Sequence, residues 1–389
     1  MAKIFLIRNK EFRVDSGHPW LFRSDIERVT GNPVPGSAVD VCALDGRYLG
    51  RGFFNPNSQI AIRMLTRWEE PINRAFFERR IRQAWAYRQK VADPDSCRVV
   101  FAESDFLPGL IVDKFGDVLV VQTLSLGMEL MKGTIVSLLQ EIIGPRGIYE
   151  RNDVPVRELE GMTQQTGFLS EPFDTLVEMK ENGIRFLVDV AEGQKTGFFL
   201  DQKENRAALA PLVPGMRVLD CFSHTGSFAL HAAHYGAASV TGVDISDHAV
   251  ASANRNAALN GYQDRVDFVE ANAFDYLRAA SDRKDMFDVV VLDPPAFTKT
   301  RQAIEGAVRG YKEINLRALK IVKPGGFLVS CSCSHHVSQD LFLKTIHEAA
   351  TDAHRQVRLV EYRSQAKDHP ILLASAETQY IKCAILQVY

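Results

Sequence analysis

From about residue 186 onward the chain alternates apolar, strand-like runs with helical patterns, and this alternation restricts the fold more than any other feature. The runs are MRVLDCF, SVTGVDI, VDFVEAN, FDVVVLD and GGFLVSCSC, with helical stretches from Ser227, from Asp247 and through EINLRALKIV. Several runs are apolar at consecutive positions, the pattern of parallel strands buried on both faces. A doubly wound, Rossmann-like α/β sheet is expected over 186–389, with ligands beyond the carboxyl ends of its strands.

Upstream the punctuation differs. Residues 1–72 carry AVDVCAL, RYLGRGFF and QIAIRML, broken by GNPVPG, LDGR and NPNS, which predicts a small β barrel. Residues 73–185 predict a small α+β layer. Its first element is a basic helix through NRAFFERRIRQAWAYRQKVA, with Phe77, Ile81, Ala84, Trp85 and Arg88 at helical spacing. Strands in RVVFAES, GDVLVVQTL and GIYERND and a helix in MELMKGTIVSLLQEII follow. A hairpin then places Asn182 and Gly183 between TLVEMK and IRFLVDV, where positive φ is cheap.

Charge is unevenly distributed along the chain. The net charge is -2, yet residues 1–100 hold 17 Lys and Arg against 11 Asp and Glu. That asymmetry suits a basic module that delivers a polyanion to a less basic catalytic body. No apolar run reaches the eighteen or so residues that cross a bilayer, and MAKIFLIRNKEF carries charge where a signal peptide is apolar, so a cytoplasmic location without membrane attachment is expected. The six cysteines form no C-x-x-C pair and are read as reduced thiols; the short Cys/His spacings give no four-ligand pattern, so no metal is expected.

The first strand-to-helix turn of the sheet reads Asp220, Cys221, Phe222, Ser223, His224, Thr225, Gly226. A dinucleotide fingerprint needs three spaced glycines there and only one is present. The turn instead offers hydroxyls and a carboxylate, groups that can hold the ammonium and carboxylate of an amino acid. Asp244 ends the second strand, where a carboxylate accepts from ribose hydroxyls, and Asn272 closes the third, where an amide can read an adenine edge. Singly, Asp220 and Asp244 read equally well as turn or capping carboxylates. In this order the three resemble the cofactor site of class I S-adenosylmethionine-dependent methyltransferases, which implies that cofactor rather than NAD.

FDVVVLDPPAF brings Asp293, Pro294, Pro295 and Phe297 to the end of the fourth strand. The prolines remove two N–H donors and leave carbonyls that accept from a planar base, and Phe297 offers a stacking face. The next strand runs into Cys331 and Cys333, which face the same side of an extended chain and are badly placed to bond to each other. Cys331 reads as a small buried hydrophobe; Cys333 lies further out, at the mouth. A thiolate there can add to carbon 6 of a cytosine and so make carbon 5 nucleophilic, while Asp293 stabilises charge near the ring nitrogen.

GQKTGFFLDQKENR, LDCFSHTGSFAL, VLDPPAFTKT, RGYKEIN and SCSCSHH together resemble the ribosomal RNA large subunit methyltransferase I family, enzymes that make 5-methylcytosine in 23S rRNA. GHPWLFRSDI is similar to that family's PUA domain, and SDFLPGLIVDKFGD to its central layer, so the resemblance spans the chain. It implies 23S rRNA as substrate. It also implies Gln202 and Arg206 near the methionine end of the cofactor, Asp220, Phe222, Ser223, Thr225 and Gly226 on the same ligand, Asp244 on the ribose, Asn272 at the adenine, and Cys333 as nucleophile. Two positions depart from the family pattern: Ala296 stands where members carry Lys, and Asn272 where they carry an acid. RNA cytosine methyltransferases with two cysteines place one directly after the motif-four proline; that position is Ala296 here, so the cysteine that helps release their product is missing and another group must remove the carbon 5 proton. His335, His336 and a water held by Asp293 are the candidates.

Two alternatives stay open at this point. One is an rRNA N-methyltransferase acting on guanine or adenine through Asp-Pro-Pro, with Cys333 only core. The other is a non-catalytic RNA-binding assembly factor. The oligomeric state is open too, a homodimer included.

Overall fold

Each of the five apolar runs becomes a strand of one seven-stranded sheet in the computed structural model, which describes residues 2–298 and 300–389. We label its strands β1 (Arg217–Cys221), β2 (Ser239–Asp244), β3 (Val266–Glu270), β4 (Phe287–Leu292), β5 (Val322–Ser332), β6 (Val357–Arg363) and β7 (Lys382–Val388). Their order across the sheet is 3-2-1-4-5-7-6. β1 to β5 pair in parallel, and β7 is antiparallel to both neighbours. The helices between them are α1 (Ser227–His234), α2 (Asp247–Leu259), α3 (Ala273–Arg283), α4 (Ile304–Ile321) and α5 (Gln339–Asp352). Leu219, Val290 and Leu328 of the sheet pack with Tyr311 of α4 and Phe342 of α5, all fully buried. That packing explains the consecutive apolar runs.

The chain divides into two compact units. The sheet belongs to the second, Lys180–Leu187 with Asp201–Ala366 and Gln379–Tyr389; the first comprises Met1–Met179, Val188–Leu200 and Lys367–Thr378. The first unit contains a six-stranded mixed sheet in the order Trp20–Leu21, Ile62–Thr66, Tyr48–Phe54, Ala38–Cys42, Lys3–Leu6, Ile26–Thr30. A five-stranded sheet runs Gln165–Phe168, Gly147–Asn152, Val118–Thr123, Leu110–Phe115, Ser96–Phe101. Phe53 and Leu65 of the larger sheet share one core with Phe76, Phe77, Val99 and Val112.

The basic helix spans Arg74–Val91 and is capped by Asn73, whose side chain accepts from the Phe76 N–H. Its buried stripe is Phe76, Phe77, Ile81, Ala84 and Arg88, while Trp85 is half-buried. Arg88 is fully buried because its guanidinium is satisfied: it pairs with Asp105 at 2.5 Å and donates to the Arg98 and Asp368 carbonyls at 2.8 Å. The hairpin joins Leu176–Glu181 to Ile184–Asp189, and Asn182 (φ 51°) and Gly183 (φ 89°) both adopt the left-handed conformation that matches strand twist.

Candidate active site

The turn between β1 and α1 is conformationally unusual. Phe222 (φ 66°), His224 (φ 49°) and Gly226 (φ 83°) all lie in the left-handed region, which bulky residues rarely adopt and which persists where surrounding structure enforces it. At Gly226 a Cβ would approach the Phe268 ring to 2.6 Å, so glycine is required twice over.

Asp220, at the end of β1, is buried, and its Oδ2 accepts from the Ala229 N–H at 2.9 Å. Its Oδ1, the Ser223 hydroxyl and the Thr225 hydroxyl are buried atoms without a hydrogen-bond partner among the described residues. Burial pushes the Asp220 carboxyl well above its ordinary range, and the Asp293 carboxylate pushes the same way. Three orphaned polar atoms within six residues mark a place built for a polar ligand, because such atoms are otherwise costly to bury. Acceptors and hydroxyls so grouped fit the amino-acid end of S-adenosylmethionine.

Asp244 ties the turn to the end of β2. Its Oδ2 accepts from the His224 N–H at 2.8 Å and its Oδ1 from the Ser246 N–H at 3.0 Å. A carboxylate has about four acceptor sites, so two backbone bonds leave capacity for ribose hydroxyls. Asn272 is the N-cap of α3, its Oδ1 accepting from the Phe274 N–H at 2.9 Å. The turn role weighed for Asp244 from the sequence is therefore real, and Asn272 adds a helix cap that the sequence reading did not weigh. Gln202 donates to Asp293 Oδ1 at 2.8 Å and accepts from Asn205 at 2.6 Å, so it ties Asn205 to the Asp-Pro-Pro segment. Arg206 is buried and gripped by the equally buried Glu181 at 2.7 and 3.0 Å.

Cys333 is the first residue beyond β5. It is half-buried, and its thiol points at the Pro294 carbonyl oxygen at 3.8 Å. The sulfur and the Asp-Pro-Pro segment thus meet at the carboxyl ends of β4 and β5, which pair in parallel. Cys331 is fully buried and lies opposite Cys383 of β7; the hydrogen bond with Cys383, together with burial, holds its thiol well above the usual range. Phe297 packs against Tyr311 (centroids 4.6 Å apart) and Phe274 (5.8 Å), in the middle of an aromatic row that continues to Phe342 on one side and Phe222 on the other. Pro294 is buried and Pro295 exposed, and Lys299 of the VLDPPAFTKT run lies outside the described residues. No cluster of His, Cys, Asp or Glu among the described residues could hold a metal ion.

Two residues at this site were not singled out from the sequence. Tyr311 of α4 bonds through its hydroxyl to both Ser332 and Ser334 at 2.9 Å, fixing the backbone on either side of Cys333. Its motif, RGYKEIN, marked the resemblance, but within a helical pattern the tyrosine looks like core. Lys382 of β7 donates to the Ser334 and Tyr380 carbonyls, each at 3.0 Å. A lysine just ahead of an apolar strand reads as a surface residue.

This strand order, with a polar single-glycine turn after β1 and a carboxylate closing β2, defines a class I S-adenosylmethionine-dependent methyltransferase. Residues 163–375 match the family model of S-adenosylmethionine-dependent methyltransferases, and residues 4–67 match that of PUA-like domains. Ribosomal RNA large subunit methyltransferase I of Shewanella amazonensis is 44% identical over 393 residues, covering 100% of this chain and 99% of the relative. The enzyme of the same name from Aeromonas hydrophila subsp. hydrophila is 41% identical, covering 99% of each. The chain belongs to the ribosomal RNA large subunit methyltransferase I family. In fold it is similar to SMU.776, solved in complex with SAH, at a TM-score of 0.85 and 19% identity with 100% of each chain covered.

Proposed function

We propose that this protein methylates carbon 5 of a cytosine in 23S rRNA, with Cys333 as nucleophile and Asp293 as its acid partner. The observation that supports this most is the Cys333 thiol at 3.8 Å from the Pro294 carbonyl, which sets a sulfur beside the segment suited to grip a planar base. The relatives' name, ribosomal RNA large subunit methyltransferase I, supports large-subunit rRNA as the substrate. S-adenosylmethionine, when bound, supplies an electrophilic methyl group; Asp220, Ser223 and Thr225 hold its amino-acid end, Asp244 its ribose, and Asn272, through Nδ2, its adenine.

The chemistry asked of the protein's own residues is limited. The Cys333 thiolate adds to carbon 6, and the electron pair displaced from the 5,6 double bond makes carbon 5 nucleophilic. Asp293, oriented by Gln202, stabilises the charge that develops at the ring nitrogen. Once carbon 5 carries its methyl group it loses its proton to a base, the carbon–sulfur bond breaks, and the thiolate returns. The proposal also divides the chain at 72/73 and 185/186. The six-stranded sheet ending at Thr66 and the helix starting at Arg74 support the first of these boundaries.

RNA carrying 5-fluorocytosine tests the reading, because fluorine cannot leave carbon 5 as a proton does. Wild-type protein and Cys331→Ala should form an adduct with it that survives denaturation, and Cys333→Ala should form none and transfer no methyl group. No adduct from any variant, with near-normal turnover by Cys333→Ala, is the outcome of the N-methyltransferase alternative.

A further inference from the structure

Lys382 opens β7 and lies opposite Ser332 in the register of β5 and β7, one residue before Cys333. It is 7% exposed, and its ammonium meets the Ser334 and Tyr380 carbonyls rather than a carboxylate; among the described residues it forms no ion pair. A buried cation without an anion is costly, so it calls for an explanation. Burial lowers its pKa to about 8, and the charge that opposes this effect is that of Cys333.

We propose that Lys382 is the positioning cation of this site: fixed by the Ser334 and Tyr380 carbonyls, its ammonium faces Cys333 and holds the sulfur as a thiolate before RNA arrives. The other charged or titratable groups around the sulfur do not fill this role. Asp293, beyond β4, would oppose a thiolate. Tyr311, on α4, is held by Ser332 and Ser334, and burial raises its pKa, so it stays neutral. Cys331 is pushed up as a neutral thiol, and its partner Cys383 is fully buried beside it. His335 and His336, two and three residues beyond Cys333, are the other candidate cations, and the test below includes them. The ionisation is balanced simply: the Cys333 proton goes to solvent and Lys382 keeps its three. On addition to carbon 6 the sulfur's electron pair forms the carbon–sulfur bond, the ammonium loses its anion, and elimination restores the pair.

The inference deepens the reading of Cys333 as nucleophile, but its test needs neither RNA nor methyl transfer. Full-length protein is alkylated with iodoacetamide across pH 5 to 10, and modification of the Cys333 peptide is followed by mass spectrometry. The wild-type inflection should fall below the ordinary thiol value of about 8.5. Lys382→Met should raise it by about one unit and slow alkylation at pH 7 by about tenfold, and Lys382→Arg should restore most of the difference. Coupling between two sites is reciprocal, so Cys333→Ser should make Lys382 several-fold more reactive toward acetic anhydride at pH 7, a readout that does not depend on the stability of the lysine variants. An inflection unmoved in Lys382→Met, unchanged Lys382 acylation in Cys333→Ser, or an inflection that moves only in His335→Ala or His336→Ala would overturn the proposal. A missing 5-fluorocytosine adduct would sink the cytosine reading and leave this one standing.

Discussion

Asp220 is poorly placed for folding and well placed for a ligand. Its carboxyl is buried, repelled by Asp293 and only half-satisfied by the Ala229 N–H. A group whose folded pKa is raised withdraws stability once pH exceeds its unfolded value, because the unfolded chain ionises freely there and the folded one cannot. Asp220→Asn should therefore leave the melting temperature of the ligand-free protein unchanged or higher, while affinity for S-adenosylhomocysteine drops about tenfold to a hundredfold, the range for unpaired groups in a site. Melting curves with calorimetry check this, and an Asn variant that is unstable but binds normally would make Asp220 a structural residue. Asp220, Asp244 and Asp293 were legible because a carboxylate that interrupts an apolar strand is conspicuous. Lys382 and Tyr311 were not, because a lysine before a strand and a tyrosine inside a helix match ordinary surface and core patterns.

Elements were legible to the same degree as their periodicity was clean. β4 and β5 carry consecutive apolar residues, VVVL and FLV, whereas β6 is VRLVEYR, with three charges in seven residues, and reads as surface. It is an edge strand, and edge strands tolerate charge. In the first unit, Glu129 of the short helix Leu126–Leu130 is an anchor that no periodicity reveals. Burial alone would raise its pKa, but hydrogen bonds from Lys132, Thr123 and Arg157 bring it down to about 2. A depressed carboxylate contributes stability that is present above its unfolded pKa and lost as pH falls toward the folded value, here between about 4.5 and 2. Glu129→Gln should lower stability at pH 7 by about 1 to 3 kcal/mol and flatten the acid-unfolding curve in that window, as followed by circular dichroism.

At the scale of the whole molecule, the charge asymmetry of the sequence is partly absorbed by the fold. Arg63, Arg74, Arg88 and Arg98 find their carboxylates beyond residue 100, at Glu103 and Glu160, Glu141, Asp105 and Asp113. The cations accessible to a polyanion are those at the surface, including Arg47 and Arg67, which share the single carboxylate of Asp15 at 3.1 and 3.7 Å. They line a cavity of about 630 Å³ with Tyr48, Trp68 and Phe106. Removing residues 1–70 would take Phe53 and Leu65 out of a shared core, so charge reversal is the cleaner probe. Arg47→Glu with Arg67→Glu should weaken RNA binding across sequences and reduce the salt slope by about 2, while S-adenosylhomocysteine affinity stays put; an unchanged slope in filter binding would place the phosphates elsewhere. The order 3-2-1-4-5-7-6 carries one further consequence, for biosynthesis. β6 ladders only to β7 among the described strands, and β7 follows it in the chain, so on a translating ribosome β5 keeps an open edge after β6 has already emerged. An unfilled edge of that kind is where nascent chains mispair or are captured by chaperones. Cys333 is also made before Lys382, so the two meet only when the sheet's interior strand is threaded into place.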